Sequence, residues 1–259
     1  MLSYLPTPIV LYILALTALL GLIMGSALNC LALRLASGAK WSGNTRSACP
    51  HCGHVLTPRE LIPLFSWLLQ KGKCRACGVK LSPQYPIVEA VNGSMWLLTA
   101  VFYRGDWLTV ALYCSLFSLL VVLSIIDWRT YIIPNGINLA IFVLGVVRLI
   151  SDIGNWPTYL IGMVSVSSVF LLLHILTGGN GLGMGDVKLV AAAGLLLGWQ
   201  NMILAVLLGS VSGAIIHSIR MKHGSGRKLA FGPYLAAGIW FAALGGESMI
   251  DAYLSLFGL

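Results

Sequence analysis

Apolar residues fall in eight blocks along this chain, at 9–33, 86–103, 107–126, 132–150, 156–177, 187–199, 202–219 and 229–244. A helix needs about 20 apolar residues to cross the hydrocarbon of a bilayer. The pattern therefore predicts an all-α polytopic membrane protein with about eight transmembrane helices. The block at 187–199 is short: its thirteen residues reach roughly 20 Å at ~1.5 Å each, against a hydrocarbon thickness of about 30 Å. The expectation is that the glycine-rich segment 178–186 before it dips inward as a re-entrant loop lining a wet cavity. The other solution is a locally thinner bilayer.

Composition agrees. Hydrophobic residues make up 58% of the 259 and charged residues 9%, where a soluble domain keeps roughly a quarter charged. The segment Met1–Pro8 has no basic residue, and no small-residue cleavage site follows the first block. That block is accordingly read as a retained span. The net charge of +8 is unevenly spread. Arg34, Lys40, Arg46, Arg59, Lys71, Lys73, Arg75 and Lys80 lie in one inter-helix loop, and Arg220, Lys222, Arg227 and Lys228 in another. Clustering of this kind marks cytoplasmic loops and anionic lipid head groups, not nucleic acid. With the first loop inside, helix parity also puts 127–131, 178–186 and 220–228 on the cytoplasmic side. The resulting domains are a first helix (1–33), a cytoplasmic loop (34–85) and a membrane core (86–259).

That loop holds Cys49-Pro-His-Cys52 and Cys74-Arg-Ala-Cys77. Paired C-x-x-C knuckles at this separation set four thiolates around one tetrahedral zinc, as in a zinc ribbon. Gly53 and Gly78, directly after each pair, suit the turn of a knuckle. Two disulfides are the competing reading, disfavoured in a reducing compartment. Four protein ligands leave no open position, so the ion is structural, and a loop this small needs it to fold. His51 and His54 are minor substitutes for a thiolate, whereas Cys30 and Cys114 read as small hydrophobes in apolar helices.

Asp127 and Asp186 are the acids that membrane burial makes expensive. Each sits at the cytoplasmic mouth of an apolar block, so parity brings both to one compartment. Two carboxylates sharing a site cannot both ionise cheaply; one keeps a proton while the other acts as base toward a water. The plainer reading has Asp186 as the N-cap of the following helix and Asp127 as an interfacial anchor beside Arg129. His174 and His217 read as packing residues, Arg148 as snorkelling to the outer interface, and Gly209 with Gly213 as a helix-packing pair.

A longer set of motifs decides between these readings. Gly183-Met-Gly-Asp186 with Lys188 resembles the G-x-G-D signature of intramembrane aspartic proteases, and the chain as a whole resembles the type IV prepilin peptidases. The resemblance runs through Gly25-Ser-Ala-Leu-Asn29 with Arg34, Arg46-Ser-Ala-Cys-Pro-His-Cys52, Ile62-Pro-Leu, Ser66-Trp67, Gly72-Lys-Cys-Arg-Ala-Cys77, Tyr85-Pro-Ile-Val-Glu89, Ile-Asp127…Ile-Pro134-Asn135 and Phe231-Gly-Pro-Tyr. Asn135 departs from it, because many members carry Asp after the Pro. The resemblance implies a bacterial inner-membrane enzyme acting on prepilins or pseudopilins of a pilus or type II secretion system. The basic leader would be cleaved after Gly on the cytoplasmic side, and the new N-terminus methylated with S-adenosylmethionine. It assigns catalysis to Asp127 and Asp186, support of the catalytic loop to Gly183, Gly185 and Lys188, and zinc to Cys49, Cys52, Cys74 and Cys77. Asn29 and Glu89 are candidates for the methyltransferase site, although satisfying a helix terminus is the favoured role for each. A peptidase without methyltransferase activity and a non-enzymatic zinc-containing assembly factor are the alternatives. The triple-glycine stretch before Asp186 follows no strand and is not taken as a nucleotide loop.

Overall fold

A computed structural model describes residues 7–38, 47–179, 181–222 and 229–256; Lys40, Arg46, Arg227 and Lys228 of the basic loops lie outside them. The described residues are mostly helical, with two isolated bridges and no strand among them. The chain divides into two compact units, Met1–Ile125 and Ile126–Leu259.

In the first unit, α1 (Thr7–Ala36) packs along α3 (Gln84–Phe102). Glycines permit the approach: a Cβ at Gly21 would lie 2.8 Å from Trp96 Cβ, and one at Gly25 3.0 Å from Asn92 Cβ. A buried polar chain ties these helices to α4 (Trp107–Thr130). Asn92 Nδ2 donates to the Gly21 carbonyl (2.7 Å), Ser118 donates to Asn92 Oδ1 (3.0 Å), and the Trp96 indole donates to Ser118 (2.9 Å). Such bonds join helices where lipid supplies no competing partner. Cys114 packs with Ala100 and Val110 as a small hydrophobe. The connection from α1 to α3 carries a 3₁₀ turn, Pro58–Leu61, and the short α2 (Phe65–Leu69).

The second unit holds α5 (Asn135–Ser151), α6 (Trp156–Leu176), α7 (Met184–Leu197), α8 (Trp199–Lys222) and α9 (Gly232–Ser255). Helix α7 lies among α5, α6 and α8, and ten of its 14 residues are buried. It is therefore cased in protein along its length, which is how a helix too short to span is accommodated. Added Cβ atoms at Gly162 and Gly194 would strike each other's backbone, so α6 and α7 touch main chain to main chain. A Cβ at Gly209 would lie 3.0 Å from the Leu235 backbone of α9, and one at Gly213 3.4 Å from the Tyr234 ring. This is the packing role expected for that pair.

Every predicted block is a helix. By length and composition four could cross a membrane among the described residues: Thr7–Ala36, Trp107–Thr130, Ile153–Leu176 and Trp199–Lys222. The count of eight spans is thus not established. Several ends also differ. Helix α4 continues to Thr130, so Asp127 lies within its last turn instead of beyond it; Tyr131, at φ 55°, ends the helix. The break between α7 and α8 is Gly198 at φ 82°, not residues 200–201, because glycine takes the left-handed exit at no steric cost. Arg148 does not extend freely. Its Nε donates to the Tyr159 hydroxyl (3.1 Å), which donates to Asp152 (2.6 Å).

Candidate aspartate site and metal knuckle

Asp127 and Asp186 both belong to the second unit, where they are 5% and 9% exposed. Asp127 Oδ2 accepts the backbone N–H of Gly232 at 2.9 Å. Gly232 is the first residue of α9, and Pro233 follows it, as befits a helix start. Asp186 Oδ2 accepts the N–H of Gly183 at 3.3 Å. Helix α7 starts at Met184 with Gly183 as its N-cap, which makes Asp186 a third-position residue reaching back, not the N-cap the sequence allowed. Each carboxylate is therefore held at a helix N-terminus, where free N–H groups and the helix dipole favour an anion. The two are near enough that the charge of one acts on the other.

Three contacts fix this arrangement. Asn138 Nδ2 of α5 donates to the Gly185 carbonyl at 3.1 Å, and Lys188 Nζ donates to Asn135 Oδ1 at 2.8 Å. At Gly185 a Cβ would come 2.9 Å from Ile133 Cβ. The segment that follows Asp127 in sequence is thus clamped onto the start of α7, which carries Asp186. Asn135, the departure from the family pattern, still accepts from Lys188; an Asp there would form an ion pair. His174 Nδ1 lies 2.7 Å from the Leu182 carbonyl, so this histidine braces the glycine-rich loop, in keeping with a packing role.

In the first unit, the Sγ atoms of Cys49, Cys52, Cys74 and Cys77 all lie within 4.8 Å of one another, and all four are free thiols. The pairs Cys49–Cys77 and Cys52–Cys74 stand 4.0 and 3.9 Å apart. Sulfurs around a tetrahedral zinc, with Zn–S near 2.3 Å, are separated by about 3.8 Å. Two matching turns build the group. The Cys49 N–H bonds to the His54 carbonyl and that of Gly53 to Cys49; the Cys74 N–H bonds to Val79 and that of Gly78 to Cys74. Gly53 (φ 70°) and Gly78 (φ 72°) take the left-handed conformation the knuckle requires. His54 is engaged elsewhere, 3.2 Å from Glu60 Oε2, and is no substitute ligand. The cluster can hold a metal ion.

Asn29 and Glu89 are both buried. Glu89 Oε2 accepts the N–H of Leu64 at 2.8 Å. Leu64 has φ 61°, ψ −54°, and the Phe65 N–H closes a three-residue turn onto Pro63. That conformation is strained for a branched residue and persists only where its surroundings impose it. Glu89 thus pins the start of α2, the helix-terminus role anticipated for it. Asn29 Oδ1 accepts from the Gln84 side chain at 3.0 Å, while its Nδ2 is buried without a partner.

Residues 19–103 match the bacterial peptidase A24 N-terminal domain, and residues 114–218 match the type IV leader peptidase family. The prepilin leader peptidase/N-methyltransferase of Pseudomonas aeruginosa is 33% identical over 274 residues, 93% of each chain. Those of Stutzerimonas stutzeri and Bacillus subtilis are each 35% identical, covering 80% and 82% of this chain and 74% and 86% of their own. The chain belongs to the type IV leader peptidase family. No solved structure matches it significantly.

Within this family member, sequence reasoning passed over several positions. The Phe231-Gly-Pro-Tyr motif has no task legible in the sequence, yet its Gly232 supplies the N–H that Asp127 accepts. The Gly-Pro step opening a helix was the legible signal. Asn138 had none beyond being an amide in an apolar helix. Glu60, an acid inside a basic loop, is buried and accepts from the Thr57 N–H and hydroxyl at 2.9 and 2.8 Å. Those bonds hold its carboxyl down at about 2.

Proposed function

We propose that this chain is a prepilin leader peptidase and N-methyltransferase of the bacterial inner membrane, with its peptidase site open to the cytoplasm. The observation that carries the peptidase assignment is the pair of buried carboxylates in one compact unit, each seated on the first turn of a helix. In that arrangement one carboxylate removes a proton from a water, which attacks the scissile carbonyl. The other, protonated, gives its proton to the leaving amide nitrogen. Gly183 and Gly185 keep side chains out of the approach, and Lys188 holds the Asn135 segment in register.

The substrate is a prepilin or pseudopilin with a basic leader, cut after glycine at the point where its apolar helix leaves the membrane. The glycine-rich loop dips into the cytoplasmic half of the bilayer to meet it, eight helices span, and the basic loops rest on anionic lipid. The four thiolates of the 34–85 loop take a structural zinc, since they fill a tetrahedron and leave no open position. The new N-terminal amine is methylated with S-adenosylmethionine, which supplies the methyl group. The experiment is co-expression with a precursor pilin and mass spectrometry of the mature N-terminus. A shortened chain carrying one added methyl group supports both activities. Shortening without methylation leaves a peptidase alone, and an intact precursor refutes the assignment.

A further inference from the structure

A cavity of about 450 Å³ opens in the first unit, walled by Cys30 and Arg34 of α1, Cys49 of the knuckle, Glu60 of the 3₁₀ turn, Trp67 of α2 and Glu89 of α3. That volume is in the range of small-molecule sites, about 300–1,000 Å³. Two polar atoms on its lining residues are buried and have no partner: the acceptor Glu60 Oε1 and the donor Trp67 Nε1. Native proteins rarely leave such atoms bare, and a bare carboxylate oxygen is the costlier of the two. The other Glu60 oxygen is saturated by the Thr57 N–H, the Thr57 hydroxyl and His54. The carboxylate is therefore fixed in place and negatively charged, with one oxygen in need of a cationic or N–H partner.

We infer that this cavity binds the methyl donor, with Glu60 Oε1 receiving the cationic end of S-adenosylmethionine and the Trp67 indole N–H donating to its nucleoside. The inference rests on the methyltransferase reading and deepens it. The fit is chemical. The donor carries an ammonium and a sulfonium for the carboxylate, and ring nitrogens and ribose oxygens for the indole. Glu60 and Trp67 are binding residues for the donor, and neither touches the methyl group in flight. The strained Leu64 turn pinned by Glu89 is what presents α2, and with it Trp67, to the cavity. Cys49 and Cys74 also line the cavity, so the metal knuckle forms part of its wall.

The test uses the purified full chain in detergent and radiolabelled S-adenosylmethionine, read by equilibrium dialysis and by ultraviolet cross-linking with peptide mapping. Glu60→Gln and Trp67→Phe are each expected to weaken binding at least tenfold, and the cross-link is expected within 26–89. Trp67→Phe keeps an aromatic ring at this position and leaves the Thr57–Glu60 turn intact, so its loss of binding does not depend on a collapsed loop. Wild type that binds and methylates, with both variants binding equally well or the cross-link falling within 126–259, overturns the site and leaves the activity standing. Wild type that neither binds the donor nor methylates a cleaved pilin overturns the methyltransferase reading and this site together.

Discussion

Gly185→Ala should cripple leader cleavage in a protein that still folds. The added Cβ would lie 2.9 Å from Ile133 Cβ, 3.5 Å from its Cγ1 and 3.7 Å from its Cα. Carbon atoms pack best at about 3.5–4.0 Å, so the start of α7 and the 131–134 segment must part by roughly 0.6–1 Å. Overpacking of this size costs about 1–3 kcal/mol, and replacing a helical glycine with alanine returns about 1 kcal/mol. The net loss is about 0–2 kcal/mol, which a folded domain survives. Activity is more exposed. The displaced segment separates Asp127 from Asp186, and a misplacement near 1 Å in catalytic geometry can cost about a hundredfold. Cleavage of a precursor peptide, followed by mass spectrometry, should fall by about that factor while the melting temperature in detergent shifts by only a few degrees. Gly136→Ala is the control, since a Cβ there meets nothing within 4 Å. Cleavage by Gly185→Ala within threefold of wild type would refute the idea that this contact sets the aspartate pair.

Replacing Cys49 and Cys74 together with Ser should release one zinc per chain and reduce methylation more than cleavage; metal analysis of the purified protein checks this, and a metal-free wild type with four reactive thiols would contradict it. Glu89→Ala should strand the Leu64 N–H, at a cost of about 1–3 kcal/mol, and lower methylation. Glu89→Gln should restore most of both, because an amide oxygen still accepts that bond. If Gln fails as badly as Ala in a methylation assay, Glu89 acts through its charge and not as a brace.

The helices were legible because burial in a membrane core leaves long apolar blocks, and each predicted block is helical. Their ends were less so, because hydropathy records what surrounds a helix and not where its hydrogen bonds stop. Asp127 therefore read as lying beyond α4 when Thr130 continues the helix, and α9 runs on past residue 244 through Glu247 and Asp251 to Ser255. The cysteine knuckle was readable to the residue, since C-x-x-C spacing and the following glycine are set by local turn geometry. The aspartates stood out by their cost, and the family motifs are what paired them. Their partners were not: Gly232 lies 105 residues from Asp127, and only the folded chain brings its N–H there. Glu60 and Trp67 escaped for a related reason. What distinguishes them is an unpartnered buried atom, which no spacing in the sequence encodes.

The central claim is that Asp127 and Asp186 form one proton-sharing site, and single Asn substitutions test it most directly. An Asn at either position can still accept the helix N–H that the carboxylate accepts from Gly232 or Gly183, so the fold and membrane insertion should persist. Neither amide can exchange a proton with water or the leaving amine. The measurement is the rate of leader removal by Asp127→Asn and by Asp186→Asn, followed by mass spectrometry of the pilin N-terminus. Each variant should leave the precursor uncut, losing at least a thousandfold in rate; near-normal cleavage by either one would contradict the shared site.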